Sequence, residues 1–142
     1  QAHAYINRIS GPLLDRFDIQ VEVAPVEYEH LSSGAKEESS EAIRERVQAA
    51  REIQQKRFAG TDITCNAMIT PDILHDVCPM SDEASVMLKN VFEKMGLSAR
   101  AYDRILKVAR TVADMEGEEV IGKSHIARAV QFRSLDRKYW SE

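Results

Sequence analysis

Four basic side chains recur every three or four residues in the stretch SARAYDRILKVARTVADMEG, residues 98–117. They are Arg100, Arg104, Lys107 and Arg110, with Asp103, Thr111 and Asp114 among them. This spacing places them on one side of an α-helix, and the start of a helix already favours anions through its free amides and its dipole. The stretch therefore predicts either a phosphate-binding face or a solvent-exposed face on which acidic and basic side chains pair.

The same stretch also has the features of a helix packed into a core. Ser98 is a typical N-cap residue and Gly117 a typical C-cap residue. At about 100° per residue, the apolar side chains gather on one broad side. They are Ala101, Tyr102, Ile105, Leu106, Val108, Ala109, Val112, Ala113 and Met115. We therefore predict that residues 98–117 form the central helix of the fold.

Residues 117–124, GEEVIGKS, match the letters of the nucleotide-binding P-loop, G-x-x-x-x-G-K-[ST]. A P-loop follows a buried strand, whereas these residues follow the strongest helical pattern in the chain. Glu118 and Glu119 would also place two carboxylates beside a polyphosphate. We therefore interpret the segment as a turn between two helices, with Gly117 as the C-cap.

Metal and nucleophilic chemistry receive little support from the sequence. Cys65, His75 and Cys78 are possible soft metal ligands, but no fourth ligand follows at a recognisable spacing. Serine, histidine and aspartate occur without a nucleophile-elbow motif. We therefore predict no metal site and interpret the two cysteines as small core residues.

A second charged motif, ISGPLLDRFDI, covers residues 9–19. Its leucines and phenylalanine are suited to anchor a turn. Its charged residues, Asp15, Arg16 and Asp18, form either a surface ion-pair cluster or a functional group. From the residues alone, the ion-pair cluster is the preferred interpretation.

The segment DIQVEVA, residues 18–24, carries the one convincing strand pattern of the chain. Ile19, Val21 and Val23 alternate with Gln20 and Glu22, so that one face is apolar and the other polar. A single strand cannot satisfy its own backbone groups, and its partners must lie elsewhere. The segment therefore predicts the remnant of a larger domain that contains a sheet.

The rest of the chain has the pattern of helices joined by turns. We predict a long helix from Ser39 or Ser40 to about residue 58, short helices over about 70–77 and 81–94, and a last helix around 126–135. Basic residues spread around the long helix and indicate solvation; they are Arg44, Arg46, Arg51, Lys56 and Arg57. The predicted fold class is mainly α, a helical bundle preceded by one strand.

The composition is that of an ordinary globular domain. The chain has 142 residues, of which 44% are hydrophobic and 30% charged, with a formal net charge of -4. This charge gives no global attraction to nucleic acid, so that any such contact would need a local basic patch. No apolar run approaches the length of a membrane span, and the two thiols fit a reducing compartment. We therefore expect a cytoplasmic protein that does not contact a membrane.

The quoted motifs resemble segments of one family of ATPases. Residues 98–114, SARAYDRILKVARTVAD, resemble the lid helix of the magnesium-chelatase-like AAA+ ATPases, in particular their competence-associated branch. LLDRFD resembles the segment ahead of the last strand of the AAA+ core, and SSEAIRERVQAAREIQQKRF resembles the helix between them. The two motifs follow the family's order, and the resemblance covers nearly the whole chain.

This resemblance implies roles for three arginines. Arg16 matches the arginine finger, which reaches the nucleotide of a neighbouring subunit in trans. Arg100 matches the second sensor of bound nucleotide, acting in cis or in trans, and Arg104 is a secondary candidate for nucleotide contact. The resemblance also implies that the parent protein binds ATP and magnesium and forms a homo-oligomeric ring. Family analogy favours a role in DNA processing.

The resemblance also divides the chain into parts. Residues 1–26 would be the end of an α/β ATPase core, 27–39 a linker, and 40–142 an inserted helix and a C-terminal lid bundle. Because a credible P-loop and an acidic Walker B strand are missing, we expect this fragment neither to bind ATP nor to hydrolyse it by itself.

An independent helical interaction module is the alternative to an ATPase fragment. Such a module would bind protein or nucleic acid through Arg100, Arg104 and Lys107 and through the C-terminal tail. The basic and aromatic residues of that tail are Arg133, Arg137, Lys138, Tyr139 and Trp140. Pairing of the strand at residues 19–23 would discriminate between the two, since an unpaired edge favours a fragment.

Overall fold

The computed structural model describes residues 11–28, 32, 34 and 37–133 of the chain. Its helices are α1 Gly11–Leu14, α2 Ser40–Arg57, α3 Leu74–Val77, α4 Asp82–Met95, α5 Ala99–Glu116 and α6 Lys123–Gln131, with a short 3-10 helix at Asn66–Met68. The mainly α fold class is therefore confirmed. Residues 1–10 and much of the predicted linker 27–39 lie outside the described residues.

Helix α5 is the central helix, as predicted. The Ser98 hydroxyl accepts a hydrogen bond from the amide of Ala101 at its start. At its end, Gly117 adopts the left-handed conformation with φ 74°, which glycine reaches without a side-chain clash. The buried face of α5 contacts α6, α2 and the 3-10 helix. Both ends of the helix are thus set by local chemistry.

The hydrophobic core lies around α5. Its buried members come from α3, α4, α5 and α6 and from the segments between helices. They include Phe58, Ile69, Leu74, Cys78, Leu88, Ile105, Leu106, Ile121 and Ile126. Helix α4 begins at the N-cap Ser81 and ends at Gly96, and it packs against α6. Within the described part of the chain, no helix is long and apolar enough to cross a membrane.

Residues 117–124 form the turn between α5 and α6. Ile121 is fully buried and makes an isolated parallel bridge with Met80. The Gly122 amide donates to Nδ1 of His125 over 2.9 Å, so that Nε2 of His125 carries the proton that Glu116 accepts at 2.8 Å. The preceding element is a helix, and therefore the segment is a helix-to-helix turn and not a P-loop.

The prediction of a strand over residues 18–24 is wrong. Residues 19–27 have no strand structure, and the amide of Gln20 donates to the carbonyl of Phe132 at 2.8 Å. Gln20 is buried, whereas Val21 and Val23 are 60% and 85% exposed. The apolar face thus points outward. A single backbone bond to Phe132 does not form a ladder, and within the described part of the chain no strand pairs with residues 19–27.

The start predicted for the short helix at residues 70–77 is also wrong. Residues 71–73 form turns, and helix α3 begins only at Leu74. Thr70 accepts a hydrogen bond at its carbonyl from the amide of Ile73, at 3.2 Å, which closes a turn before the helix. Proline is favoured both at the second position of a turn and at the start of a helix. Pro71 therefore fits either structure, and here it lies in the turn.

Replacing Ile105 by alanine tests the position of α5 in the core. Ile105 is 1% exposed, and we expect the change to lower the free energy of unfolding by about 2–5 kcal/mol, as for other truncations of buried aliphatic side chains. Val112 on the same helix is only half-buried, and Val112→Ala is expected to cost less. Urea denaturation of both variants measures the difference, and equal losses would contradict the burial described.

Candidate functional site

Arg16 lies on an exposed turn that follows helix α1. The turn is closed by the amides of Arg16 and Phe17, which donate to the carbonyls of Leu13 and Leu14, each at 3.0 Å. The side chain of Arg16 is exposed. The local sequence therefore presents one guanidinium group at the surface on a short, hydrogen-bonded turn.

The buried guanidinium group of Arg133 donates hydrogen bonds to this turn. Arg133 is 1% exposed, and its Nη1 donates to the carbonyl of Phe17 at 3.0 Å. Its Nη2 donates to Oδ1 of Asp15 at 3.3 Å. The turn that carries Arg16 is thus fixed to the end of helix α6.

The start of helix α5 meets the same turn. The Ser98 hydroxyl donates to Oδ2 of Asp15 at 3.1 Å, while it accepts from the helix as its N-cap. Nearly two turns further along, Arg104 forms an ion pair with Asp18. Arg100 lies in the first turn of α5 with an exposed side chain. The structure therefore brings the segment of Arg16 against the helix that carries Arg100 and Arg104.

The basic face predicted on α5 is wrong at its C-terminal half. Arg110 and Asp114 are 1% and 2% exposed and belong to the core, not to a solvated stripe. Nη1 and Nη2 of Arg110 donate to the carbonyls of Glu119 and Glu118, and its Nε donates to Oδ1 of Asp114 at 3.1 Å. The helical spacing alone did not reveal this burial, because the partners come from the turn after the helix.

Arg57 is the second residue for which the predicted solvation is wrong. Its guanidinium group reaches both carboxylate oxygens of Asp114, with Nη1 to Oδ2 at 2.8 Å, and Asn66 at 3.0 Å. The Nδ2 of Asn66 also donates to Oδ2 of Asp114 at 2.8 Å. Asp114 is thus the centre of a buried polar cluster that joins α2, the 3-10 helix and α5.

Burial and charge act in opposite directions on the arginines of this cluster. The hydrogen bond to Asp114 raises the pKa of Arg57 above its usual value. Desolvation lowers the pKa of Arg110, although the charge of Asp114 partly offsets it. Both guanidinium groups remain protonated, so that the half-buried Arg57 and the buried Arg110 share the single negative charge of Asp114. The carbonyls of Glu118 and Glu119 also accept hydrogen bonds from Arg110.

A cavity of about 630 Å³ lies beside the exposed face of α5. Its apolar lining includes Val108, Val112 and Met115, and cations and anions are interspersed around it. The charged lining residues are Asp18, Arg46, Lys107, Glu116 and Arg128. Arg46 pairs with Glu38 and Asp18 with Arg104, so this mixed lining does not form a uniform phosphate-binding surface.

The three residues weighed as metal ligands are not brought together as a site. Within the described residues, no group of three or more His, Cys, Asp or Glu side chains is arranged to hold a metal ion. Cys78 is buried in the core, and the ring of His75 lies 6.3 Å from that of Tyr102. Desolvation raises the pKa of Cys78 to about 11.

The two thiols are expected to differ in their reactivity. A thiol reagent at pH 8 should modify the half-buried Cys65 rapidly and Cys78 slowly, because burial and a pKa of about 11 leave little thiolate at Cys78. Mass spectrometry over time measures the two rates, with denatured protein as the control in which both react. Equal rates in the folded protein would contradict this description of Cys78.

The family comparison agrees with this architecture. The description "Magnesium chelatase, subunit ChlI C-terminal" matches residues 37–133, and "Magnesium chelatase, subunit ChlI" matches residues 1–31. The chain therefore belongs to the magnesium-chelatase-like AAA+ family, and the suspected resemblance is confirmed.

Individual relatives cover nearly all of the chain. Over 138 residues, or 96% of it, the chain is 41% identical to the Competence protein ComM of Haemophilus influenzae and 38% identical to the Uncharacterized protein YifB of Escherichia coli. It is 33% identical over 129 residues to the Uncharacterized protein Rv2897c of Mycobacterium tuberculosis. The chain spans about a quarter of the length of these relatives, 26% for the first two.

Proposed function

We propose that the chain is the C-terminal part of a ring-forming ATPase, in which Arg16 is an arginine finger acting in trans and Arg100 is the second sensor. The observation that carries this proposal is the joint placement of the two residues. Both side chains are exposed, and Asp15, next to Arg16, contacts Ser98, which caps the helix of Arg100. Exposed guanidinium groups so placed suit the oxygen atoms of a nucleotide.

The P-loop-like segment at residues 117–124 does not form the phosphate cradle that Mg-ATP requires. In residues 117–124, the carbonyls of Glu118 and Glu119 are turned to Arg110, and Ile121 is buried. A phosphate cradle needs converging amide donors instead. We therefore assign the binding of ATP and magnesium to a part of the protein outside this chain, in line with relatives about four times as long.

A guanidinium group from a neighbouring subunit explains why hydrolysis would depend on assembly. Negative charge spreads over the transferred phosphoryl group in the transition state, and a positive group that arrives in trans stabilises it. The partners proposed are therefore other copies of the same protein in a ring. DNA processing by the whole protein is proposed from the competence-associated relative and from family analogy.

A stand-alone nucleic-acid-binding module receives less support. Arg104 is paired with Asp18, and Arg133, which such a module would expose, is buried. The tail residues Arg137 to Trp140 lie outside the described residues. Lys107 is half-buried and donates weakly, at 3.4 Å, to the carbonyl of Ala67. We therefore favour the ATPase fragment.

Replacing Arg100 by alanine in the full-length protein tests the sensor assignment. We expect nucleotide affinity and turnover to fall together, each by about 10- to 100-fold. Both should fall because a sensor contacts the bound nucleotide before and during the reaction. The size of the effect corresponds to the loss of one hydrogen bond from a charged group. Titration with a fluorescent ATP analogue and steady-state hydrolysis measure the two effects. Arg128→Ala, on the exposed side of α6, is the matched control. Unchanged affinity and turnover in Arg100→Ala would rule out the sensor.

A further inference from the structure

The guanidinium group of Arg133 contacts both residues that flank Arg16. Nη2 donates to the carboxylate of Asp15 and Nη1 to the carbonyl of Phe17. Arg133 is 1% exposed, whereas Arg16 is exposed. A buried, charged donor that spans a single exposed residue leaves the backbone on either side of that residue little freedom to move.

Asp15 is also the point at which two helices meet this turn. One carboxylate oxygen accepts from Arg133, at the end of α6, and the other accepts from the Ser98 hydroxyl, at the start of α5. Arg100 follows Ser98 by two residues. A displacement of the start of α5 relative to the end of α6 must therefore change at least one bond of Asp15.

We propose that Arg133 and Asp15 are positioning residues that couple the helical domain, formed by helices α2 to α6, to the orientation of Arg16. This proposal rests on the proposed function of Arg16. When nucleotide binding at Arg100 shifts α5, the shift is passed through Ser98 and Asp15 to the turn, and Arg133 keeps that turn attached to α6. The helical domain thus regulates whether Arg16 is presented to the neighbouring subunit.

Two further contacts restrict the same segment without touching Arg16 directly. The Gln20 amide donates to the Phe132 carbonyl at 2.8 Å, and Arg104 pairs with Asp18. These contacts keep the segment near the helices even when the bonds of Asp15 are lost. Loss of Arg133 or Asp15 should therefore reorient the turn and not release the whole segment.

Arg133→Lys is the principal variant, because lysine retains the charge but cannot bond to Asp15 and Phe17 with one planar group. Asp15→Asn is the second variant, on a side chain that is one-third exposed and therefore less prone to unfolding. We expect each to reduce turnover of the full-length assembly by about 10- to 100-fold, the scale of a misplaced catalytic group. Arg128→Lys on the same helix is the control and should leave turnover unchanged.

Mixed assemblies separate positioning from structural damage. An Arg133→Lys subunit keeps its own nucleotide site, which receives an intact Arg16 when its neighbour is a subunit with a disabled P-loop. Turnover should therefore return in the mixture. In addition, Arg16→Ala combined with Arg133→Lys should be no slower than Arg16→Ala alone, because both changes act through the same guanidinium group. A mixture that stays inactive would mean that Arg133 has only a structural role.

Hydrogen exchange of the full-length protein tests the coupling without using activity. In Arg133→Lys, the amides of Arg16 and Phe17 should exchange about tenfold faster or more, and those of Gln20 and of the middle of α4 should not change. Unchanged exchange at the turn would overturn the proposal, as would normal turnover of Arg133→Lys when Arg16→Ala is slow. Faster exchange together with normal turnover of Arg16→Ala would instead refute the finger role of Arg16 and leave the coupling of the turn intact.

Discussion

Replacing Asp114 by alanine is expected to lower the free energy of unfolding by about 3–5 kcal/mol, the loss that follows when one partner of a buried ion pair is removed. Asp114 is 2% exposed and accepts hydrogen bonds from Arg57, Arg110 and Asn66. Its removal leaves two guanidinium groups close together without a counter-charge. Urea denaturation, with the slope of the transition examined for constancy, measures the change.

Asp103→Ala is the matched control for this experiment. Asp103 lies on the same helix and is only half-buried. Its loss leaves no buried guanidinium group without a counter-charge. We expect a change of about 0.5 kcal/mol or less, as for ordinary surface substitutions. Similar losses for Asp103→Ala and Asp114→Ala would contradict the description of a buried cluster centred on Asp114.

Replacing Arg16 by alanine is expected to lower ATP turnover of the full-length assembly by about 10³-fold, the lower range for arginine fingers. Folding and nucleotide affinity should stay nearly unchanged, because Arg16 is exposed and would reach a nucleotide only in the neighbouring subunit. Steady-state hydrolysis and nucleotide titration measure the two quantities on the same preparation. Loss of nucleotide binding in Arg16→Ala would contradict action in trans.

Subunit mixing provides the control for Arg16. An Arg16→Ala subunit is combined with one that carries an intact Arg16 and a disabled P-loop. Each supplies what the other lacks at one of the two kinds of interface, and part of the activity should return. If mixed rings form but remain inactive, Arg16 is a structural ion-pair residue and not a finger.

The helices were predictable because their signals are local. Ser39, Ser81 and Ser98 each accept a hydrogen bond from an amide three residues later, as their positions before apolar repeats indicated. Gly96 and Gly117 end their helices in the left-handed conformation. Such caps and periodic patterns depend only on neighbouring residues, and the sequence therefore contains all the information needed.

The buried polar contacts were not predictable in the same way. Arg57 lies 57 positions from Asp114, and Arg133 lies 118 positions from Asp15. A charged residue on a helix is usually solvated, and only the tertiary arrangement shows where a partner neutralises it. The one local signal was the four-residue spacing of Arg110 and Asp114, which is typical of an ion pair but does not indicate burial.

The contact between Gln20 and Phe132 has a consequence for evolution of the domain. These residues are 112 positions apart, yet their backbones are joined by a hydrogen bond of 2.8 Å. The two ends of the stretch from Gln20 to Phe132 thus lie side by side. Insertions or deletions in the intervening helices and loops change the number of residues between Gln20 and Phe132 without changing the distance between these two residues. A lineage can therefore lengthen or shorten α2 while the backbone contact between Gln20 and Phe132 stays the same.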